Sequence, residues 1–374
     1  MLALFIICGF VLGYTLGLYP LAMWALARWR GRPWRVPAPG AALPSISMII
    51  PVYNEEKILR EKIENCLRLD YPADRIEFIF ALDGCTDSSE AIVTGGADPR
   101  VRLQAFAANR GKVAILNDVI PGVRSELIVI SDASGMINPA GLRELVAPFA
   151  DPEVGGAAGV YRVSREDRSQ LDSAEHSYHG FEMKLRGWEG LVRTTLSGTG
   201  SLFAFRQAEF EPFPAGLINE DYVLSSRLAL RGRRVVYVPG AQLVDRLSTR
   251  PAAVFRRRVR IAYGNWQQIR YLRELLNPAR GFLFWVFVSH KLLRMLLPFV
   301  LVAFLVSSMA LGSTVAWLMG AGALLLVAAG ALGLLLDRFF RNFNPLSVVA
   351  LVFINFVAVF VGTGKYIAGR KAAW

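Results

Sequence analysis

Apolar residues in this chain run unbroken toward both ends and fall into short runs, separated by polar stretches, through the middle. Leu2 to Ala27 is apolar apart from Tyr14, Thr15 and Tyr19. That length suits the roughly 20 residues that cross a bilayer core of about 30 Å, and it predicts a transmembrane helix over residues 1–27. The run is too long for the apolar region of a cleaved signal peptide, and Arg28, Arg30, Arg32 and Arg35 follow it in a basic linker, residues 28–42. By the positive-inside rule, that cluster puts the next domain in the cytoplasm. Leu296 to Leu336 carries no charge and predicts two spans broken near Gly312-Ser313, and Leu346 to Val361 predicts a shorter third, within residues 295–364. Gly281 to Leu293, aromatic and closing on His290, Lys291 and Arg294, predicts an amphipathic interfacial helix within residues 268–294. Three later spans would leave the basic tail, residues 365–374, outside. Either the last stretch does not cross fully, or Gly281 to Leu293 adds a crossing.

From Ser45 the pattern becomes β-rich runs alternating with amphipathic helices, which predicts an α/β domain with a mostly parallel, Rossmann-like sheet over residues 43–267. Ser45 to Val52, Ile76 to Leu82, Val101 to Ala105 and Leu127 to Ser131 read as strands. Between them, Glu56 to Leu69 reads as a helix with Ile58, Leu59, Ile63, Cys66 and Leu67 on one face, and Gly111 to Val119 as another. Glu55, Asp83 and Asp132 therefore follow strand C-termini, the edge of an open α/β sheet where ligands bind. Any one of them could be only a helix cap; three on successive strands point to one crevice.

The formal net charge of +12 raises nucleic-acid binding, but no nucleic-acid motif accompanies it, and much of the charge sits at Arg28 to Arg35 and Arg256 to Arg260 beside the membrane segments. Anionic lipid headgroups or a diphosphate are the expected partners there, with no nucleic acid. Cys8, Cys66 and Cys85 show no ligand or disulfide spacing. His176 and His179 lack an evident third ligand, so neither predicts a metal site.

The ordered set Ile49-Ile50-Pro51-Val52-Tyr53-Asn54-Glu55-Glu56, Asp83-Gly84-Cys85-Thr86-Asp87, Arg110-Gly111-Lys112 and Ser131-Asp132-Ala133-Ser134 resembles glycosyltransferase family 2, the superfamily of cellulose, chitin and hyaluronan synthases with the GT-A fold. The resemblance covers Leu43 to about Gln267. It implies that Pro51, Tyr53, Asn54, Glu55 and Asp83 bind the nucleotide, with Lys112 on its phosphate side. It implies that Asp132 holds Mg²⁺ or Mn²⁺, with Ser134 where the family has a second carboxylate. Leu196-Ser197-Gly198-Thr199-Gly200-Ser201 resembles the acceptor loop, with Gly198, Thr199 and Gly200 lining the acceptor. Asn219-Glu220-Asp221 looks like the family's Glu-Asp motif, which makes Asp221 the general base and Glu220 its orienting neighbour. Around Arg257 to Gln267, the family's Gln-x-x-Arg-Trp motif puts Arg257 on its Gln and Arg260 on its Arg; Arg258 and Arg260 suit diphosphate contacts, and Trp266 and Gln267 lie on the acceptor side. Ile261 stands where synthases carry tryptophan.

Together the membrane runs and the family resemblance imply an enzyme: a multi-pass protein of the inner (plasma) membrane that moves a sugar, with inversion, from a nucleotide-sugar donor, a UDP-sugar, to a growing polysaccharide or lipid-linked glycan. The missing tryptophan keeps open a single addition to a polyprenyl or glycolipid acceptor, and Ser134 keeps open a non-catalytic assembly subunit. Three or four spans are few for an export channel, which leaves room for an oligomer or an export partner subunit.

Overall fold

The computed structural model describes every residue except 39, 97, 164–169, 246–250, 338–345 and 371–374; the side chains of 163, 170–178, 251, 336, 337 and 347 are likewise outside the description. The chain forms two compact units: Arg30–Ser164 with Arg186–Arg246, and Met1–Trp29 with Arg165–Leu185 and Leu247–Trp374.

The first unit is built on one sheet. In chain order its strands are β1 (Ile46–Val52), β2 (Ile76–Asp83), β3 (Val101–Phe106), β4 (Leu127–Ser131), β5 (Gly135–Ile137), β6 (Val154–Val163), β7 (Leu202–Arg206) and β8 (Arg234–Asp245). Their spatial order is β3-β2-β1-β4-β7-β6-β8-β5. β1 pairs parallel to β2 and β4, β2 to β3, and β6 to β8. β7 runs antiparallel to β4 and β6, and β5 to β8. β1 and β4 are buried almost throughout, the expected consequence of unbroken apolar runs covered on both faces. β2 continues one residue past its predicted end because Asp83 still pairs with Phe106. The helix Glu56–Leu67 stops two residues short of the expected Leu69, where Leu69 N–H turns back to the Cys66 carbonyl. β6 and β8, which the alternation did not reveal, extend the parallel core into a mixed sheet.

Among the described residues, the second unit contains four helices long and apolar enough to cross a membrane: Leu2–Arg30, Phe282–Ala310, Thr314–Leu335 and Val348–Ile367. The stretch Gly281 to Leu293 is continuous with the second of these and forms its first turns. Phe282–Val286 passes through a π-turn, Phe287–Leu292, into Leu293–Ala310. Its polar groups find partners inside the unit. Trp285 Nε1 donates to Tyr14 Oη at 2.7 Å, Tyr14 Oη lies 2.7 Å from Ser289 Oγ, and His290 and Arg294 both meet Glu182. The helix Leu2–Arg30 has its own π-turn, Tyr14–Leu18, just before Pro20, as Phe287–Leu292 precedes Pro298; proline removes a ladder donor at each place. Leu16, Val306 and Leu325 remain exposed on these helices, as lipid-facing positions do.

Candidate functional site

The C-terminal ends of β1, β2 and β4 gather the crevice. Asn54, in the left-handed region at φ +54°, follows β1, and its side chain closes the gap to the next strand: Oδ1 accepts Thr86 N–H at 2.8 Å, and Nδ2 donates to Thr86 Oγ1 at 3.3 Å. Asparagine tolerates that backbone better than most residues. Its amide therefore serves as a brace between two loops. Tyr53 is half exposed beside it, and Pro51 lies within β1. Glu55 N–H donates to Ser89 Oγ at 3.2 Å. Burial, followed by the charges of Asp245, Asp87 and Asp132, pushes the Glu55 carboxyl above its ordinary range.

Asp83, buried at the tip of β2, spends both oxygens on one loop: Oδ1 accepts Arg110 N–H at 2.8 Å and Oδ2 accepts Gly111 N–H at 2.7 Å. Two glycines make this possible. Gly84, at φ +66°, has the backbone of Ala108 and Asn109 where a Cβ would stand, and Gly111 sits at φ +87°. In this arrangement Asp83 fixes the start of the helix Lys112–Val119, and its two oxygens keep further acceptor capacity.

That helix start delivers Lys112. Its Nζ donates to Asp132 Oδ1 at 2.8 Å and to the Gly200 carbonyl at 3.1 Å, and pairs with Glu220 Oε1 at 2.8 Å. A cation is disfavoured at a helix N-terminus, but two carboxylates outweigh the dipole. Burial alone would lower the Lys112 ammonium; Asp132 and Glu220 more than reverse this and hold it charged. For Asp132 the opposing effects are burial, which raises, and Lys112, which lowers and prevails.

Asp221 completes the group. It lies in the first turn of the helix Glu220–Leu230, after Asn219 at φ +60°, and its Oδ2 accepts Gly200 N–H at 3.1 Å. Gly200 thus bridges: its carbonyl meets Lys112 and its N–H meets Asp221. Burial, then the neighbouring Glu220 charge, raises the Asp221 carboxyl above the ordinary aspartate value despite Lys112. A Cβ on Gly198 would meet Ser225 Oγ at 2.7 Å, so this loop packs tightly. Thr199 is buried, donating to the Gly159 carbonyl at 3.1 Å with its Oγ1 2.8 Å from Tyr237 Oη; it supports the loop from beneath.

Asp132 with the Ser134 hydroxyl is a sparse donor set, and among the described residues no cluster of three or more His, Cys, Asp or Glu is placed to hold an ion. One carboxylate nonetheless fits a hard cation that arrives with phosphate oxygens and keeps its waters. Arg258, Arg260, Trp266 and Gln267 lie on the helix Pro251–Tyr271 in the other unit. There Trp266 Nε1 donates to Thr363 Oγ1 at 2.9 Å and the ring stacks on Tyr366, so the indole is engaged in helix packing. His179 belongs to the helix Gln170–Val192, and the His176 side chain lies outside the described residues.

One residue escaped the sequence reading. Lys62 is fully buried on the helix Glu56–Leu67, and its Nζ donates to Ser131 Oγ at 2.8 Å and to the Gly135 carbonyl at 2.5 Å, beneath the turn that carries Asp132. The signal was present: Leu59, Lys62, Ile63 and Cys66 form a helical core stripe, with a lysine where an apolar residue belongs.

A Rossmann-like α/β domain with a cluster of carboxylates around one lysine, in a chain with candidate membrane helices, is a protein class that relatives narrow further. The profile of the family described as "Glycosyltransferase like family 2" matches residues 44–264, and the chain belongs to that family. It is similar to a probable glycosyltransferase, YdaM, of Bacillus subtilis, 26% identical over 64% of this chain and 59% of that one. It is also similar to a β-monoglucosyldiacylglycerol synthase of Synechocystis (25%; 64% and 51%) and a poly-β-1,6-N-acetyl-D-glucosamine synthase of Staphylococcus aureus (25%; 64% and 58%). The chain thus spans between half and three-fifths of the length of these curated relatives. Among solved structures, a mannosyltransferase from Pyrobaculum calidifontis, in complex with GDP-Man and Mn²⁺, superposes with a TM-score of 0.72 at 24% identity, covering 98% of this chain and all of that one. The fold is therefore GT-A.

Proposed function

We propose that this chain is an inverting glycosyltransferase that takes a sugar from a nucleoside diphosphate, a UDP-sugar, and adds it to a growing polysaccharide or lipid-linked glycan at the cytoplasmic face of the plasma membrane. The observation that carries the reading is Asp221: a half-buried carboxyl, raised by its surroundings, held by Gly200 N–H beside the Lys112, Asp132 and Glu220 cluster. In the proposed step Asp221 accepts the proton of the acceptor hydroxyl, whose oxygen bonds the anomeric carbon. The bond from that carbon to the diphosphate oxygen breaks, and the electron pair leaves with the diphosphate. One base and an in-line displacement suffice for inversion. Lys112 stands ready to exchange a carboxylate for a phosphate oxygen as negative charge builds there. Asp132 and Ser134 are the residues that would hold Mg²⁺ or Mn²⁺, which supplies further positive charge at the diphosphate when bound.

Membranes carrying the chain, incubated with labelled UDP-glucose, UDP-N-acetylglucosamine and GDP-mannose, test this. The expected result is transfer from one donor that falls by about 10³-fold or more in Asp221→Asn, the scale of a lost general base with its hydrogen bonds kept. Equal product from wild type and variant would remove Asp221 from the chemistry, and no transfer from any donor would leave an assembly subunit. Ile261, where synthases carry tryptophan, favours a second reading, single addition to a polyprenyl or glycolipid acceptor; one added sugar instead of a ladder identifies it.

A further inference from the structure

A second cavity, of about 400 Å³, lies at the other end of β8 from Asp245, where β6 and β8 begin. Four arginines line it, Arg32, Arg193, Arg233 and Arg234, with one acidic residue, Glu153; Thr194 and Gly232 form part of the wall. The pairing of these charges is uneven. Arg32 is paired with Glu153, and Arg233 Nε donates to Glu209 Oε1 at 2.6 Å. Arg234 is held deep: Nη2 donates to the Arg32 carbonyl at 2.6 Å, Nε to the Arg193 carbonyl at 3.2 Å, and Nη1 stands 3.5 Å from Asp151 Oδ2 without a hydrogen bond. Burial, and then the nearby Arg32 charge, lowers the Arg234 guanidinium. The Arg193 side chain has no hydrogen bond or ion pair with any described residue. Positive charge is thus concentrated around a concave space and is only partly compensated.

Planar guanidiniums match tetrahedral oxyanions through paired N–H donors, and several around one cavity make a phosphate the best-suited guest. The volume falls in the range of small-ligand pockets, roughly 300 to 1,000 Å³. The chain itself indicates the source of the phosphate. Arg32 follows Arg30, the last residue of the helix Leu2–Arg30, by two residues, at most about 7 Å of backbone. A residue so close to the end of a membrane span sits at headgroup depth. We propose that this cavity binds the phosphate of an anionic phospholipid headgroup. The site is separate from glycosyl transfer and does not depend on it.

Purified full chain in a nonionic detergent is titrated with dihexanoyl phosphatidylglycerol, dihexanoyl phosphatidylcholine and inorganic phosphate, reading the thermal midpoint and bound lipid by native mass spectrometry. Phosphatidylglycerol should raise the midpoint saturably, with the apparent Kd about tenfold weaker in Arg193→Gln, which loses charge-assisted hydrogen bonds but no partner in the free protein. An equal response to inorganic phosphate keeps the phosphate site and assigns it to free phosphate. Arg32→Gln, at an exposed position, repeats the comparison should Arg193→Gln fold poorly. No response, the same response to phosphatidylcholine, or variants that match wild type would each overturn the proposal.

Discussion

Lys112 is the residue on which the crevice turns, since its ammonium joins Asp132, Glu220 and the Gly200 carbonyl. In Lys112→Met these carboxylates face one another without a cation. Lys112 lowers the Asp221 carboxyl, so its loss moves that carboxyl further up. A base must be ionised to accept a proton, so the acid limb of kcat/KM, already above that of an ordinary aspartate, shifts to higher pH in the variant. Activity at neutral pH falls by about 10²–10³-fold, the scale of a removed electrostatic donor. A pH–rate profile whose acid limb stays in place would contradict this. The acidic residues were legible as a set because carboxylates follow three strand C-termini, although any one of them could serve only as a cap. The position of Asp83 was legible, but not that its two oxygens accept Arg110 and Gly111 N–H. Lys62 was hidden in a stripe read by its apolar members. Its Nζ meets two acceptors, the number that a neutral amine can serve, and burial pushes its pKa below the ordinary lysine value.

At the scale of elements, boundaries followed local rules and contacts did not. The helices Thr314–Asp337 and Ser347–Ile367 each read as plain apolar runs, yet they pack at glycines: a Cβ on Gly330 would stand 2.8 Å from Phe353 Cβ and 3.0 Å from the Val349 carbonyl. Small residues let membrane helices approach closely where no hydrophobic drive separates protein from lipid. Gly330→Leu should therefore part this pair, lowering the thermal midpoint in detergent, while Gly322→Leu, where nothing lies within 4 Å of the added Cβ, should not. Equal midpoints for the two variants would show that the contact contributes nothing. The contacts of the stretch Gly281 to Leu293 were hidden for a related reason. Its polar side chains looked solvent-directed in one dimension, but Tyr14 and Glu182, distant in sequence, satisfy them within the unit.

For the whole molecule, the proposed cytoplasmic domain and four crossings fix which loops lie outside. Phe282–Ala310 would exit, and the turn at Leu311 to Ser313 would face the exterior. Ser313→Cys should then react in intact cells with a membrane-impermeant maleimide, against a background of Cys8 and Cys66, which are buried, and Cys85 within the α/β unit. Labelling only after permeabilisation would invert the orientation. The sequence by itself determined that membrane helices flank an α/β sheet, because hydrophobic periodicity reports how each segment partitions between water, core and lipid. It also placed acidic residues at one edge of the sheet, because the ends of parallel strands share one side. Only the tertiary structure decided that Lys112 and Gly200 connect Asp132 to Glu220 and Asp221, that Lys62 underlies the turn, and that four arginines from separate stretches line one cavity. These pairings depend on the order and register of strands that are far apart in the chain, and local periodicity carries no record of them.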